Sequence, residues 1–203
     1  MKKVIVIGGG LGGISAAASL AAEGFEVEVI EKNAHLGGKL NVLEKEGFSF
    51  DLGPSILTMP HIFERLFLRA GKRMEEYVEI EELRPHWRNF FEDGTTIDLY
   101  PTGRETAEQS ERLSREDGED LDRFLAYSRK LYESTLPSYF DRGIDTFWGM
   151  MKFHGVFRAL FEFDALATVD QGVRRYIKNP YLVDILNYFV KYVGSSPYDA
   201  PAL

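Results

Sequence analysis

Residues 4–31 read VIVIGGGLGGISAAASLAAEGFEVEVIE. A short apolar run, Val4 to Ile7, meets a glycine cluster; a small-residue segment, Leu11 to Ala22, follows; a second apolar run, Phe25 to Ile30, ends on Glu31. This order predicts strand, turn, helix and strand. Gly8, Gly10 and Gly13 stand at the G-x-G-x-x-G spacing on the strand-to-helix corner, the setting in which that spacing marks dinucleotide binding.

Each residue type has a physical reason to be there. Gly8 lets the chain turn off the strand, Gly10 keeps side-chain atoms away from a pyrophosphate, and Gly13 lets the helix lie close to the sheet. The helix opening at Leu11, Gly12 and Gly13 aims unpaired N–H groups and its positive dipole end at the phosphates. Ile14, Ala17, Ala18 and Ala21 recur at helical spacing and form its inner face. Glu31 offers a carboxylate to a ribose diol, and its charge disfavours a phosphorylated ribose. These residues fit NAD and FAD alike.

Farther on come HLGGKL (35–40) and FSFDLGPSILTMP (48–60). Gly37 and Gly38 permit a positive-φ backbone that approaches a ligand, and Lys39 supplies a cation for a diphosphate in an otherwise acidic chain. With these segments the chain resembles the N-terminal part of the carotenoid desaturases of the bacterial phytoene and dehydrosqualene type, within the amine-oxidase-like FAD superfamily. In that superfamily a Gly-Gly-Arg or Gly-Gly-Lys element follows the acid of the second strand, as Gly37, Gly38 and Lys39 do here. The resemblance implies FAD as cofactor and places Gly53 and Ser55 near the flavin ring. The candidate cofactor-binding residues are therefore Gly8, Gly10, Leu11, Gly12, Gly13, Glu31, its neighbour Lys32, Gly37, Gly38, Lys39, Gly53 and Ser55.

The fold class expected is α/β: an incomplete Rossmann-like FAD-binding portion over residues 1–100, then the start of an α-rich substrate region over 101–203. The resemblance spans the whole chain but only the first portion of the family's fold. A fragment is therefore expected, one that awaits a C-terminal half or self-associates through unpaired strands and apolar faces. The implied activity is desaturation of an acyclic carotenoid precursor by hydride transfer to flavin. Alternatives are a flavin oxidase acting on a carotenoid terminal group or an amine, and a truncated nucleotide-binding module without turnover. No Asp, Glu or His stands in a motif that names a proton acceptor, so no catalytic residue is assigned.

Composition narrows the classes. There is no cysteine, and the four histidines lack metal-ligand spacing, so no metal is assigned. The net charge of −8 argues against nucleic acid. Residues 1–139 carry all of that charge; residues 140–203 are neutral and hold 13 of the 27 aromatic side chains. A neutral, aromatic-rich segment suits a lipophilic polyene, and it equally suits a second core. Phe147 to Phe163 reads as a helix with Phe153, Val156, Phe157, Leu160 and Phe161 on one face, which fits either a membrane interface or the interior of a substrate domain. No signal peptide or spanning run is present, so the expected location is cytoplasmic, with peripheral contact at the inner face of the cell membrane.

Elsewhere, His61 to Ala70 reads as a helix, and Arg88 to Phe91 with Thr95 to Tyr100 as a hairpin turning at Glu92-Asp93-Gly94. Thr102 to Ser114 and Glu119 to Ser134 read as two helices separated by a turn at Asp117-Gly118.

Overall fold

The computed structural model describes residues 2–155, 163, 164 and 166–202, and the chain divides into two compact units, residues 1–81 and 82–203. The division falls between Glu81 and Glu82 rather than near residue 100, because the hairpin of residues 87–99 packs into the core of the second unit.

The first unit opens with β1 (Lys3–Ile7), α1 (Leu11–Ala22) and β2 (Glu26–Ile30), and the two strands pair in parallel from Lys3 opposite Glu26 to Ile7 opposite Ile30. A helical crossover is what a parallel pair requires. Ile14, Ala17 and Ala18 are half-buried and Ala21 is exposed, so the inner face of α1 is only partly covered. A hairpin follows, β3 (Val42–Lys45) and β4 (Phe48–Asp51). Its two-residue turn puts Glu46 at φ 54° and Gly47 at φ 83°, the doubly left-handed geometry that matches strand twist. α2 (Pro60–Arg69) begins with proline in its first turn.

This unit buries little. Among its described residues no side chain is fully buried, and Ile5, Ile7, Phe48 and Phe50 are all more than half exposed.

The second unit has the core. β5 (Trp87–Phe90) and β6 (Thr96–Leu99) form the expected antiparallel hairpin. Ile97 from β6 packs with Leu121, Val173, Ile177, Leu182, Val183 and Ile185 from the helical part. Among the described residues of this unit the α-helices are α3 (Gly103–Glu108), α4 (Arg115–Thr135), α5 (Phe147–His154), α6 (Val169–Arg174) and α7 (Pro180–Tyr188).

Two helical expectations change. Asp117-Gly118 is not a turn but the first part of α4. Ser114 caps that helix, accepting from the Asp117 N–H at 3.1 Å while the Asp117 carboxylate accepts from the Ser114 N–H at 2.8 Å. Gly118 is there for packing: a Cβ on it would lie 2.8 Å from the Gly103 carbonyl oxygen and 2.9 Å from the Ala107 Cβ. The first helix is also shorter than expected, closing at Glu108. Asp122 of α4 secures its start by accepting from the N–H groups of Gly103 and Arg104.

α5 ends where Gly155 takes φ 85°. Residues 156–162 of the apolar helix expected over Phe147 to Phe163, including Val156, Phe157, Leu160 and Phe161, lie outside the described residues, and Phe163 is buried outside any helix. Among the described residues no helix is long and apolar enough to cross a membrane.

Candidate functional site

The candidate site is built on the β1–α1 corner. Gly8 leaves β1 at φ 103°, a conformation that costs glycine little, and its N–H donates to the Ile30 carbonyl at 2.8 Å. Gly13 is fixed by space rather than torsion: a Cβ there would sit 1.9 Å from the Gly8 carbonyl oxygen. α1 starts at Leu11 without a side-chain cap and with no acidic residue in its first turn. Its first N–H groups and positive dipole end are thus left to an anion without a competing carboxylate. A Cβ at Gly8 or at Gly12 would meet nothing within 4 Å, so both border open space.

Glu31, at the end of β2, returns to the corner. Its carboxylate accepts from the Gly9 N–H at 2.6 Å, from the Asn33 N–H at 2.8 Å and from the Asn33 side-chain amide at 2.9 Å. These donors, Asn33 first and Gly9 next, hold the carboxyl below its ordinary pKa, so it stays charged near neutrality. A carboxylate has about four acceptor positions, which leaves capacity for a further donor.

The second glycine pair docks on the first. Gly37, at φ 112°, donates to the Gly9 carbonyl at 2.7 Å and forms a parallel bridge with Gly10. A Cβ on Gly38 would come within 3.0 Å of the Gly10 Cα, so two backbones meet with no room for side chains. Gly53, just past β4, crosses the same loop, where a Cβ would lie 1.8 Å from the Lys39 carbonyl oxygen. Lys39 is exposed, and so is Lys32.

Gly8 to Gly13, Glu31, Gly37, Gly38, Lys39 and Gly53 are thereby one continuous cluster. Ser55 lies exposed in the loop that leads to α2. Gly9 and Asn33 complete the cluster and are absent from the residues singled out by sequence; the available signal is an amide two residues after the strand-end acid, positioned to fold back on it. The glycine lining, the free helix start and the charged acid together fit a dinucleotide.

Comparison with known proteins agrees. Residues 6–69 match the NAD(P)-binding Rossmann-like domain family. The chain is 57% identical over 202 residues to a 4,4'-diapolycopene oxygenase of a Methylomonas species, and 52% identical over 202 residues to a 4,4'-diaponeurosporene oxygenase of Staphylococcus aureus. Both matches take in 100% of the chain and 41% of the relative, so the chain spans about two fifths of the length of these relatives. A Pyrococcus furiosus protein of known crystal structure shares the fold at a TM-score of 0.52 with 20% identity, over 100% of this chain and 40% of its own.

The chain thus carries a Rossmann-like dinucleotide-binding domain. Along its whole length it is similar to part of the longer proteins named as carotenoid oxygenases, in keeping with the resemblance seen in the sequence. Both relatives are named for oxygenation, the activity that stands second to desaturation in the sequence reading.

Proposed function

We propose that this chain is the cofactor-binding portion of an FAD-dependent oxidoreductase that oxidises the terminal group of an acyclic carotenoid. The observation that carries the cofactor assignment is the Glu31-braced glycine corner at an uncapped helix start. The substrate class rests on the 57% and 52% identities to carotenoid oxygenases.

Bound FAD supplies two-electron redox chemistry that no side chain here offers. The chain's residues bind and orient it. The N–H groups at Leu11 and Gly12 and the glycine-lined floor at Gly10 and Gly38 receive the diphosphate. Lys39 adds positive charge beside it, and Glu31 accepts from the adenosine ribose while repelling a phosphorylated one. Gly53 holds the segment leading to Ser55 over the Gly37-Gly38-Lys39 loop, which supports the assignment of that segment to the flavin side.

Peripheral membrane contact belongs to the same proposal, since the substrate dissolves in lipid. Trp148 on α5 is 78% exposed, and the Arg142 guanidinium lies over the Phe153 ring at 4.8 Å. An exposed tryptophan on a helix whose Phe153 stacks under a guanidinium suits an interfacial position.

The test is Glu31→Ala in the complete gene product. Flavin absorbance after purification should fall at least tenfold against wild type; retention at wild-type stoichiometry overturns the cofactor assignment. Product mass then separates the activities: gain of oxygen supports the proposal, whereas loss of hydrogen alone returns the assignment to desaturation.

A further inference from the structure

The second unit holds a cavity of about 580 Å³ that the dinucleotide site does not use, within the range of about 300–1,000 Å³ common for small-molecule sites. Its deep wall is apolar. Leu131 of α4, Ile144, Met150 of α5 and Phe163 line it, and Met150 and Phe163 are themselves buried.

Ser128, Tyr132 and Tyr139 also line the cavity, and two of its hydroxyls, those of Thr135 and Thr146, are already engaged. Thr135 donates its hydroxyl to the carbonyls of Leu131 and Tyr132 at 3.0 Å. The Thr146 hydroxyl accepts from the Gly149 N–H at 3.2 Å, capping α5. The lining carboxylate, Asp145, is solvent-exposed. A polar ligand group set against Leu131, Ile144, Met150 and Phe163 would give up water without gaining a partner there. A hydrocarbon meets no such penalty.

A second observation concerns how the rim is made. After Thr135 the helix widens into a π turn over Leu136–Phe140. Pro137 has no N–H to continue the α-helical ladder, so the register slips there. The slip brings Tyr139 and Phe140 to the cavity, both about half exposed, with Phe140 edge-on to Tyr132 at 5.5 Å and to Tyr139 at 5.2 Å. π turns of this kind concentrate at functional positions. Val193, 76% exposed, completes the rim.

We infer that this cavity between α4, its π turn and α5 binds an unsubstituted stretch of the polyene chain, held by aromatic and aliphatic contact without hydrogen bonds. The inference rests on the carotenoid reading above and adds where the hydrocarbon is gripped.

The experiment measures 4,4'-diapolycopene carried from detergent micelles through gel filtration by the complete gene product, together with turnover. Ser128→Phe fills the cavity from α4, and Val193→Trp closes it from the exposed rim, where folding is least at risk. Each should weaken polyene retention and raise KM about tenfold while flavin content and kcat stay at wild-type values. If wild type binds the polyene and both variants bind less, but none turns it over, the cavity assignment stands and the reading of the reaction falls. If wild type turns the polyene over and either folded, flavin-loaded variant retains it as wild type does, the cavity assignment falls and the reaction stands. If wild type retains no polyene, both fall.

Discussion

At the residue scale, two carboxylates show how local donors set charge. Glu31 is kept ionised by Asn33 and Gly9, and the same contacts brace the glycine corner, so one residue shapes the loop and presents an acceptor. Asp93, in the turn of the β5–β6 hairpin, accepts from the Tyr181 hydroxyl on α7 and from the Thr95 N–H at 2.9 Å. The Tyr181 contact first, then Thr95, lowers its pKa to about 2. A depressed carboxyl stabilises the fold fully above its ordinary value and loses that contribution as pH falls through the lowered one. Asp93→Ala should therefore unfold at a lower temperature than wild type at neutral pH. The gap should stay constant down to about pH 4 and close towards pH 2 in thermal melts followed by circular dichroism; a gap unchanged at pH 2 would refute the linkage.

At the scale of elements, the α3–α4 pair is decided by the close approach of Gly103 and Gly118. Replacing a helical glycine by alanine gains about 1 kcal/mol of propensity. At Gly118 the new methyl would strike the Gly103 carbonyl, and forced overpacking against backbone costs about 1–3 kcal/mol. The clash outweighs the propensity, so Gly118→Ala is expected to destabilise the second unit by up to about 2 kcal/mol in urea melts, and Ser114→Ala, which removes the cap, by about 1 kcal/mol. A Gly118→Ala protein more stable than wild type would show that the helices can part freely.

This pair also shows what a sequence hides. A lone Asp-Gly reads as a turn until Gly103, fifteen residues earlier, is known to lie against it. By contrast β1, α1 and β2 are legible because their pattern is local: apolar runs of strand length, a small-residue helix between them, and glycines whose roles depend only on the corner they make. The β3–β4 hairpin escapes notice because Glu46 stands where Asn or Asp usually signals a left-handed turn. The cavity is hidden for a related reason, since a proline inside a helical stretch says that the ladder breaks but not which rings swing onto a surface.

At the scale of the whole molecule, the two units differ in how much they bury. The second centres on Ile97, Val173, Ile177 and Leu182, all at most 2% exposed, while the described residues of the first include no fully buried side chain. Local stability follows burial. In this 203-residue chain, amides of β1 and β2 should exchange with deuterium well before those of α7, and brief proteolysis should cut within residues 2–81 first. Equal protection of both units by mass spectrometry would contradict this reading. Charge and aromatic content point to a change in character near residue 140. The compact units part at residue 81 instead, because packing follows which elements share a core and not where charge is carried.

The hold that Glu31 keeps on Gly9 has a consequence for engineering. Under the proposed function, coenzyme preference and loop shape are tied to one side chain, so a swap meant to admit a phosphorylated sugar would also release the Gly9 turn at the proposed diphosphate site. Retooling this protein for a different electron carrier calls for rebuilding position 31 together with its two anchoring partners, because a change at that position alone trades selectivity for loss of grip.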